Sequence, residues 1–120
     1  MMLPAIWING KRQQARGLHV SARDRGLLLA DGLFETMRAH TGTVFRLDRH
    51  LARLEGGLRV LQIPVPVELR EWVLAALPDA REPDASVRLT VTRGAGASGV
   101  APPADAQPTT IVAVNPMPAF

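Results

Sequence analysis

The stretch Asp24–Leu54, DRGLLLADGLFETMRAHTGTVFRLDRHLARL, decides the fold. Within it, Gly32–His40 alternates like a strand, with Leu33, Glu35 and Met37 on one side and Phe34, Thr36 and Arg38 on the other. Gly42 permits a reversal, and Thr43–Arg46 is expected to return as the next strand. Asp48 is a candidate cap for the helix that follows. Along that helix Leu47, Leu51, Leu54, Leu58 and Leu61 form one stripe. Arg46, His50 and Arg53 line a flank of the stripe, so their side chains border its buried face. A polar strand face beside an arginine-bearing helix edge is a compact way to hold an anion.

Toward the N-terminus, Ala5–Ile8 and Arg12–Ala15 are predicted strands around Asn9-Gly10, a strong hairpin signal, and Ser21–Arg25 is polar and turn-like. Gly56-Gly57 weakens the leucine-striped helix by about 1 kcal/mol per glycine relative to alanine, which points to close backbone packing there. Pro64 and Pro66 should end that helix. Val67–Leu77 is a second amphipathic helix, with Leu69, Val73, Ala76 and Leu77 inward and Pro78 as its stop. Beyond a polar connector, Asp79–Ala85, the β-branched runs Val87–Thr92 and Thr109–Val114 read as paired strands. The loop between them, Gly94–Gln107, is of a length that is usually functional or disordered. The fold class is α+β, an antiparallel sheet of about five or six strands with two helices packed on one face. Residues 1–114 are expected to form this domain, and residues 115–120 a linker into further structure.

Composition narrows the function. The chain has 120 residues, one domain by size, and a mild net charge of +3. Its basic residues are scattered and its aromatics few, whereas a nucleic-acid surface shows a basic stripe or stacking rings, so no nucleic-acid partner is expected. No apolar run is long enough to span a membrane, and the first ten residues lack a signal-peptide pattern. With no cysteine there is neither a disulfide framework nor a thiolate metal site, and a cytoplasmic location fits. The single lysine, Lys11, follows the Asn9-Gly10 turn and should be exposed. An imine-forming lysine needs a desolvated pocket, so Lys11 is not one.

Read from the residues alone, each site candidate has an ordinary alternative. Arg53 can extend a bidentate fork to a phosphate while its stem packs on apolar neighbours, or it can be a solvated arginine paired with Glu55 or Glu82. His50 suits a hydrogen bond to a loop carbonyl. Glu35 suits a pair with Arg38 or Arg46, Phe34 suits the core, and Arg88 suits an exposed strand position.

The order and spacing of Asp24-Arg25-Gly26, Asp31–Arg38 (DGLFETMR), the Gly42 turn, His50-x-x-Arg53-Leu54 and Val91-Thr92-Arg93-Gly94 resemble the fold-type IV pyridoxal-phosphate (PLP) enzymes. These are the branched-chain and D-amino-acid aminotransferases and 4-amino-4-deoxychorismate lyase. The similarity runs from Trp7 to the region of Val114, the N-terminal small domain of that family. It implies pyridoxal 5'-phosphate as cofactor, with Arg53 gripping its phosphate. Phe34, Glu35 and Thr36 would be the strand segment facing cofactor and substrate, and Arg88 would help recognise the substrate carboxylate.

The resemblance places no catalytic residue and no metal ligand in this chain. The Schiff-base lysine and the glutamate beside the pyridine nitrogen would lie in a C-terminal catalytic domain, and the chain alone is expected to be inactive. Homodimerisation is expected, because the sites of this family form near the subunit interface. The implied activity is aminodeoxychorismate lyase-like, releasing pyruvate to give 4-aminobenzoate, or that of an aminotransferase, including branched-chain or D-amino-acid transamination. A non-catalytic binding module that keeps the fold is the alternative. Two departures bear on substrate. Leu29 stands where branched-chain enzymes often carry a tyrosine, and Gly96–Val100 lacks the arginine of the Gly-Arg-Gly-Tyr loop found in the lyases.

Overall fold

Gly32–His40 forms a strand with the alternation its sequence carries: Glu35, Met37 and Ala39 are buried, while Phe34, Thr36, Arg38 and His40 are exposed. The structure, a computed structural model, describes residues 3–14, 16–17, 19–96, 99, 101 and 103–117. In chain order the elements are β1 (Ala5–Ile8), β2 (Lys11–Arg12), α1 (Arg25–Leu29), β3 (Gly32–His40) and β4 (Thr43–Val44). There follow α2 (Leu47–Val60), α3 (Leu69–Ala76), a 3-10 turn (Leu77–Asp79), β5 (Asp84–Thr92) and β6 (Thr109–Pro116). Six strands make one antiparallel sheet in the order β2-β1-β6-β5-β3-β4, the expected α+β architecture.

Period-two burial on β3, β5 and β6 meets period-3.6 burial on the helices. From the sheet come Met37, Val87, Leu89, Val91, Val112 and Val114; from α2, Leu51, Leu54 and Leu58; from α3, Leu69, Val73 and Ala76. Each large apolar side chain of this kind contributes roughly 1.5–3 kcal/mol on burial, so the leucine stripe is what seats α2 on the sheet. Gly57 fits that seat: a Cβ built on it would stand 2.5 Å from Leu33 Cδ1. Gly56 faces open space, so only one of the two glycines reflects close packing.

Element ends differ from expectation where the backbone enters the left-handed region. The turn at Asn9 (φ 49°) and Gly10 (φ 80°) pairs Ile8 with Lys11, so β2 is Lys11–Arg12 rather than Arg12–Ala15; Ala15 lies outside the described residues. Arg46 (φ 56°) ends the return strand at Val44 and is itself the N-cap of α2. Asp48 is therefore not the cap. It sits in the first helical turn, where a negative charge suits the helix dipole, and pairs with Arg70.

The end of α2 is set by Gln62 (φ 58°), not by Pro64 or Pro66. Ile63 N–H bonds to Leu58 O at 2.9 Å and Gln62 N–H to Arg59 O at 3.0 Å, the pattern of a Schellman close. The second helix is shorter than Val67–Leu77, and Pro78 is absorbed into the 3-10 turn. The polar stretch near Ser21–Arg25 runs into a short helix instead of remaining a turn, because Asp24 accepts a capping bond from Gly26 N–H at 2.8 Å. β5 starts at Asp84, earlier than Val87. β6 runs to Pro116, pairing Asn115 with Ser86 and Pro116 with Ala85, and residues 118–120 of the expected linker lie outside the described residues.

Candidate functional site

Glu35 interrupts the apolar row of β3 with a carboxylate only 8% exposed, between Leu33 and Met37. A charge so placed is costly unless it is paired. α2 supplies the partners: His50 and Arg53, three residues apart, share one helix flank. Arg53 Nε donates to Glu35 Oε1 at 3.2 Å and to Oε2 at 3.0 Å, and Arg53 Nη2 donates to Oε1 at 2.7 Å. His50 Nδ1 lies 2.7 Å from the same Oε1.

The hydrogen bonds from Arg53 hold the Glu35 carboxyl below the usual glutamate range. They outweigh the opposing push of burial, with His50 helping them. Glu35 in turn raises Arg53 further above its ordinary value. With Glu35 ionised, His50 Nδ1 is the donor of their bond. The Arg53 side chain is nonetheless 73% exposed, and its bonds to Glu35 run through Nε and Nη2, which leaves Nη1 unbonded among the described residues. The guanidinium is gripped on one edge and presented on the other. Such a fork recognises phosphate or carboxylate.

The ordinary pairings do not form. Arg53 takes Glu35 rather than Glu55 or Glu82. Arg38 lies 3.7 Å from Asp84, and the Arg46 guanidinium stands over the Phe45 ring, 5.1 Å from its centroid. Arg46 therefore leaves the flank that its spacing suggested, because the residue is outside the helix.

Phe34, Thr36 and Arg88 gather on the other face of the sheet. Thr36 pairs across strands with Arg88 and Phe34 with Thr90, and the Arg88 guanidinium carbon lies 3.9 Å from the Phe34 ring centroid. Phe34 is 54% exposed, so it is not core. Glu35, on the same strand, points to the helix side instead, as the alternation along β3 predicts, since successive strand residues point to opposite faces. β4 pairs only with Ala39 and His40, so among the described residues no strand pairs with the outer side of β3 from Gly32 to Arg38.

A third cluster was carried by the motifs without a role being read from them. Arg25 Nε and Arg93 Nε both donate to Asp31 Oδ2, at 2.9 and 2.7 Å, and both arginine side chains are buried. Arg93 also donates to Leu61 O (2.8 Å) and Gln62 O (3.0 Å), closing the C-terminus of α2, while Arg25 Nη1 donates to Gly99 O at 2.8 Å. Arg93, more than any other group, holds the Asp31 carboxyl below its usual range. Thr109 Oγ1 adds a bond to Asp24 at 2.7 Å. The signal was the recurrence of Asp-Arg-Gly, Asp-Gly and Thr-Arg-Gly, which converge in space although far apart in sequence.

Lys11 is exposed on β2, at the opposite end of the sheet from β3. Among the described residues no group of three or more His, Asp or Glu could hold a metal ion, and no helix is long and apolar enough to cross a membrane. The loop positions Ala97, Ser98 and Val100 lie outside the described residues.

The model of the amino-transferase class IV family matches residues 32–119. A Methanocaldococcus jannaschii protein, provisionally named a branched-chain-amino-acid aminotransferase, is 39% identical over 116 residues, covering 94% of this chain and 40% of that protein. The crystal structure of 4-amino-4-deoxychorismate lyase from Pseudomonas aeruginosa superposes with a TM-score of 0.85 at 44% identity, over 96% of this chain and 41% of the other. The PLP-bound form of a hypothetical aminotransferase from Mycobacterium tuberculosis superposes with a TM-score of 0.82 at 25% identity, over 98% of this chain and 41% of the other. The chain thus spans about two fifths of the length of the relatives it matches.

Proposed function

Because this chain belongs to the class IV aminotransferases, we propose that it is the N-terminal domain of a PLP-dependent enzyme acting on amino acids, with Arg53 holding the cofactor phosphate. The observation that carries this reading is the half-gripped Arg53 guanidinium, held by Glu35 on one edge and open on the other. A phosphate dianion fits that edge, since it asks for fixed, exposed donors. PLP, when bound, supplies a ring that withdraws electrons from the substrate α-carbon.

This chain's own residues bind and orient. Arg53 takes the phosphate. Phe34 and Thr36 form a wall of the substrate pocket where β3 borders the site. Arg88, stacked on Phe34 and across from Thr36, offers a cation to a substrate carboxylate. Proton movement needs a lysine in a desolvated place, which Lys11 does not occupy. That lysine is assigned to a second, C-terminal domain, and the assembled enzyme to a cytoplasmic homodimer.

An aminodeoxychorismate lyase-like reaction is the preferred activity, supported by the 44% identity to the Pseudomonas aeruginosa lyase. Branched-chain or D-amino-acid transamination is the second reading, supported by the Methanocaldococcus jannaschii relative. A non-catalytic binding module that kept the fold predicts no turnover of either substrate class. Incubating the full-length protein with aminodeoxychorismate, and separately with amino acids and 2-oxoglutarate, separates all three by product.

The cofactor assignment has its own test. Arg53→Ala in the full-length protein should weaken PLP binding by about a hundredfold, the scale of a lost charge-assisted fork. Unchanged PLP affinity would mean that the phosphate is held elsewhere.

A further inference from the structure

We infer that Glu35 is a positioning residue for the phosphate grip rather than a contact of the substrate. The inference rests on the assignment of Arg53 to the phosphate and deepens it. Three observations point the same way. Glu35 lies on the helix-facing side of β3, while Phe34 and Thr36 lie on the other. Both of its oxygens are engaged, by three bonds from Arg53 and one from His50. Its side chain is nearly closed to solvent, whereas that of Arg53 is open.

An exposed arginine samples many rotamers, and a ligand that needs one of them must fix it. Here the fixing is done in advance. His50 holds Oε1 from one side, so the carboxylate has little freedom, and the side-on grip through Nε and Nη2 sets the plane of the guanidinium. Nη1 is then aimed without further ordering. The Glu35 charge also opposes an incoming phosphate. The gain from orientation prevails because the carboxylate charge is already compensated by Arg53, and Oε1 is also hydrogen-bonded by His50.

The test uses the full-length protein and two probes, PLP and pyridoxal, which lacks the phosphate. Dissociation constants are measured for the wild type, Glu35→Gln, Glu35→Ala, Arg53→Ala and the double alanine variant. Glu35→Ala is expected to weaken PLP by about tenfold and leave pyridoxal within about twofold, with no further loss when added to Arg53→Ala. Glu35→Gln keeps the shape and one acceptor oxygen; it should fall between wild type and Glu35→Ala, and it carries the test if the alanine variant does not fold.

Equal weakening of PLP and pyridoxal, or full loss on top of Arg53→Ala, would make Glu35 merely structural. Tighter PLP binding in Glu35→Ala would make it a repelling charge. Either result overturns the inference while the phosphate assignment stands. If Arg53→Ala fails to distinguish PLP from pyridoxal, the phosphate assignment falls and takes the inference with it.

Discussion

Arg93 binds Asp31 through Nε at 2.7 Å and reaches past it to the carbonyls of Leu61 and Gln62. One side chain thereby ties the residue before β3 to the last turn of α2. The strand that carries Glu35 and the helix that carries Arg53 are held in register at this end. Two buried arginines, Arg25 and Arg93, converge on the Asp31 carboxylate.

Asp31→Asn should therefore destabilise the fold by roughly 3 kcal/mol, since it removes the carboxylate charge on which the buried Arg93 and Arg25 guanidinium groups converge. The urea midpoint should drop with an unchanged m-value. An effect below about 0.5 kcal/mol would show that the cluster is dispensable.

Acid should erode stability through Asp31 and Glu35 in particular. Both carboxyls are held below their usual ranges in the folded chain, by Arg93 and Arg53 respectively. Their contribution is complete above the unfolded-state values near pH ~4 and is lost as pH falls through the depressed folded-state values. Urea midpoints between neutral pH and the acid limb should fall steeply for the wild type. The slope should be shallower for Asp31→Asn combined with Glu35→Gln.

Phe34→Leu should preserve apolar area but remove the ring under the Arg88 guanidinium, which lies 3.9 Å from its centroid. A cation–π contact at an exposed site is worth about 0.5–1 kcal/mol, so substrate KM should rise about two- to fivefold. PLP affinity should be unaffected, because Arg53 lies on the other side of the sheet. A loss of PLP affinity equal to the rise in KM would contradict that separation.

The neighbouring glycines of α2 should behave differently. At Gly56 an added Cβ meets nothing within 4 Å, so Gly56→Ala should stabilise by up to about 1 kcal/mol through helix propensity. At Gly57 the Cβ would stand 2.5 Å from Leu33 Cδ1, and displacing that side chain offsets the gain. Thermal unfolding should rank Gly56→Ala above wild type and Gly57→Ala below Gly56→Ala.

Gly94→Ala should be the most damaging of the glycine changes. The residue has φ 92°, and a Cβ there would stand 1.8 Å from Gln107 O, a backbone atom that cannot step aside. A loss of roughly 3 kcal/mol or more is expected by equilibrium unfolding.

The long periodic elements were legible in the sequence. β3 was read to the residue, β5 and β6 by their β-branched runs, and α2 by its leucines, because a buried face imposes its period on the residues facing it. Element ends were not. Arg46 and Gln62 adopt the left-handed region, and neither residue type announces that conformation. The carbonyls near the end of α2 are answered by Arg93, thirty-one residues beyond Gln62.

The site divides the same way. Local spacing alone determined that His50 and Arg53 share a helix edge and that Glu35 faces away from Phe34 and Thr36, since helical and strand periods are properties of adjacent residues. Which carboxylate meets that edge was decided only when α2 was laid across β3, and with it the orientation of the arginine. That choice depends on the depth at which Leu51, Leu54 and Leu58 seat in the sheet and on the tie between Arg93 and Asp31. Packing across the sheet face is a non-local quantity, and no window of sequence contains it.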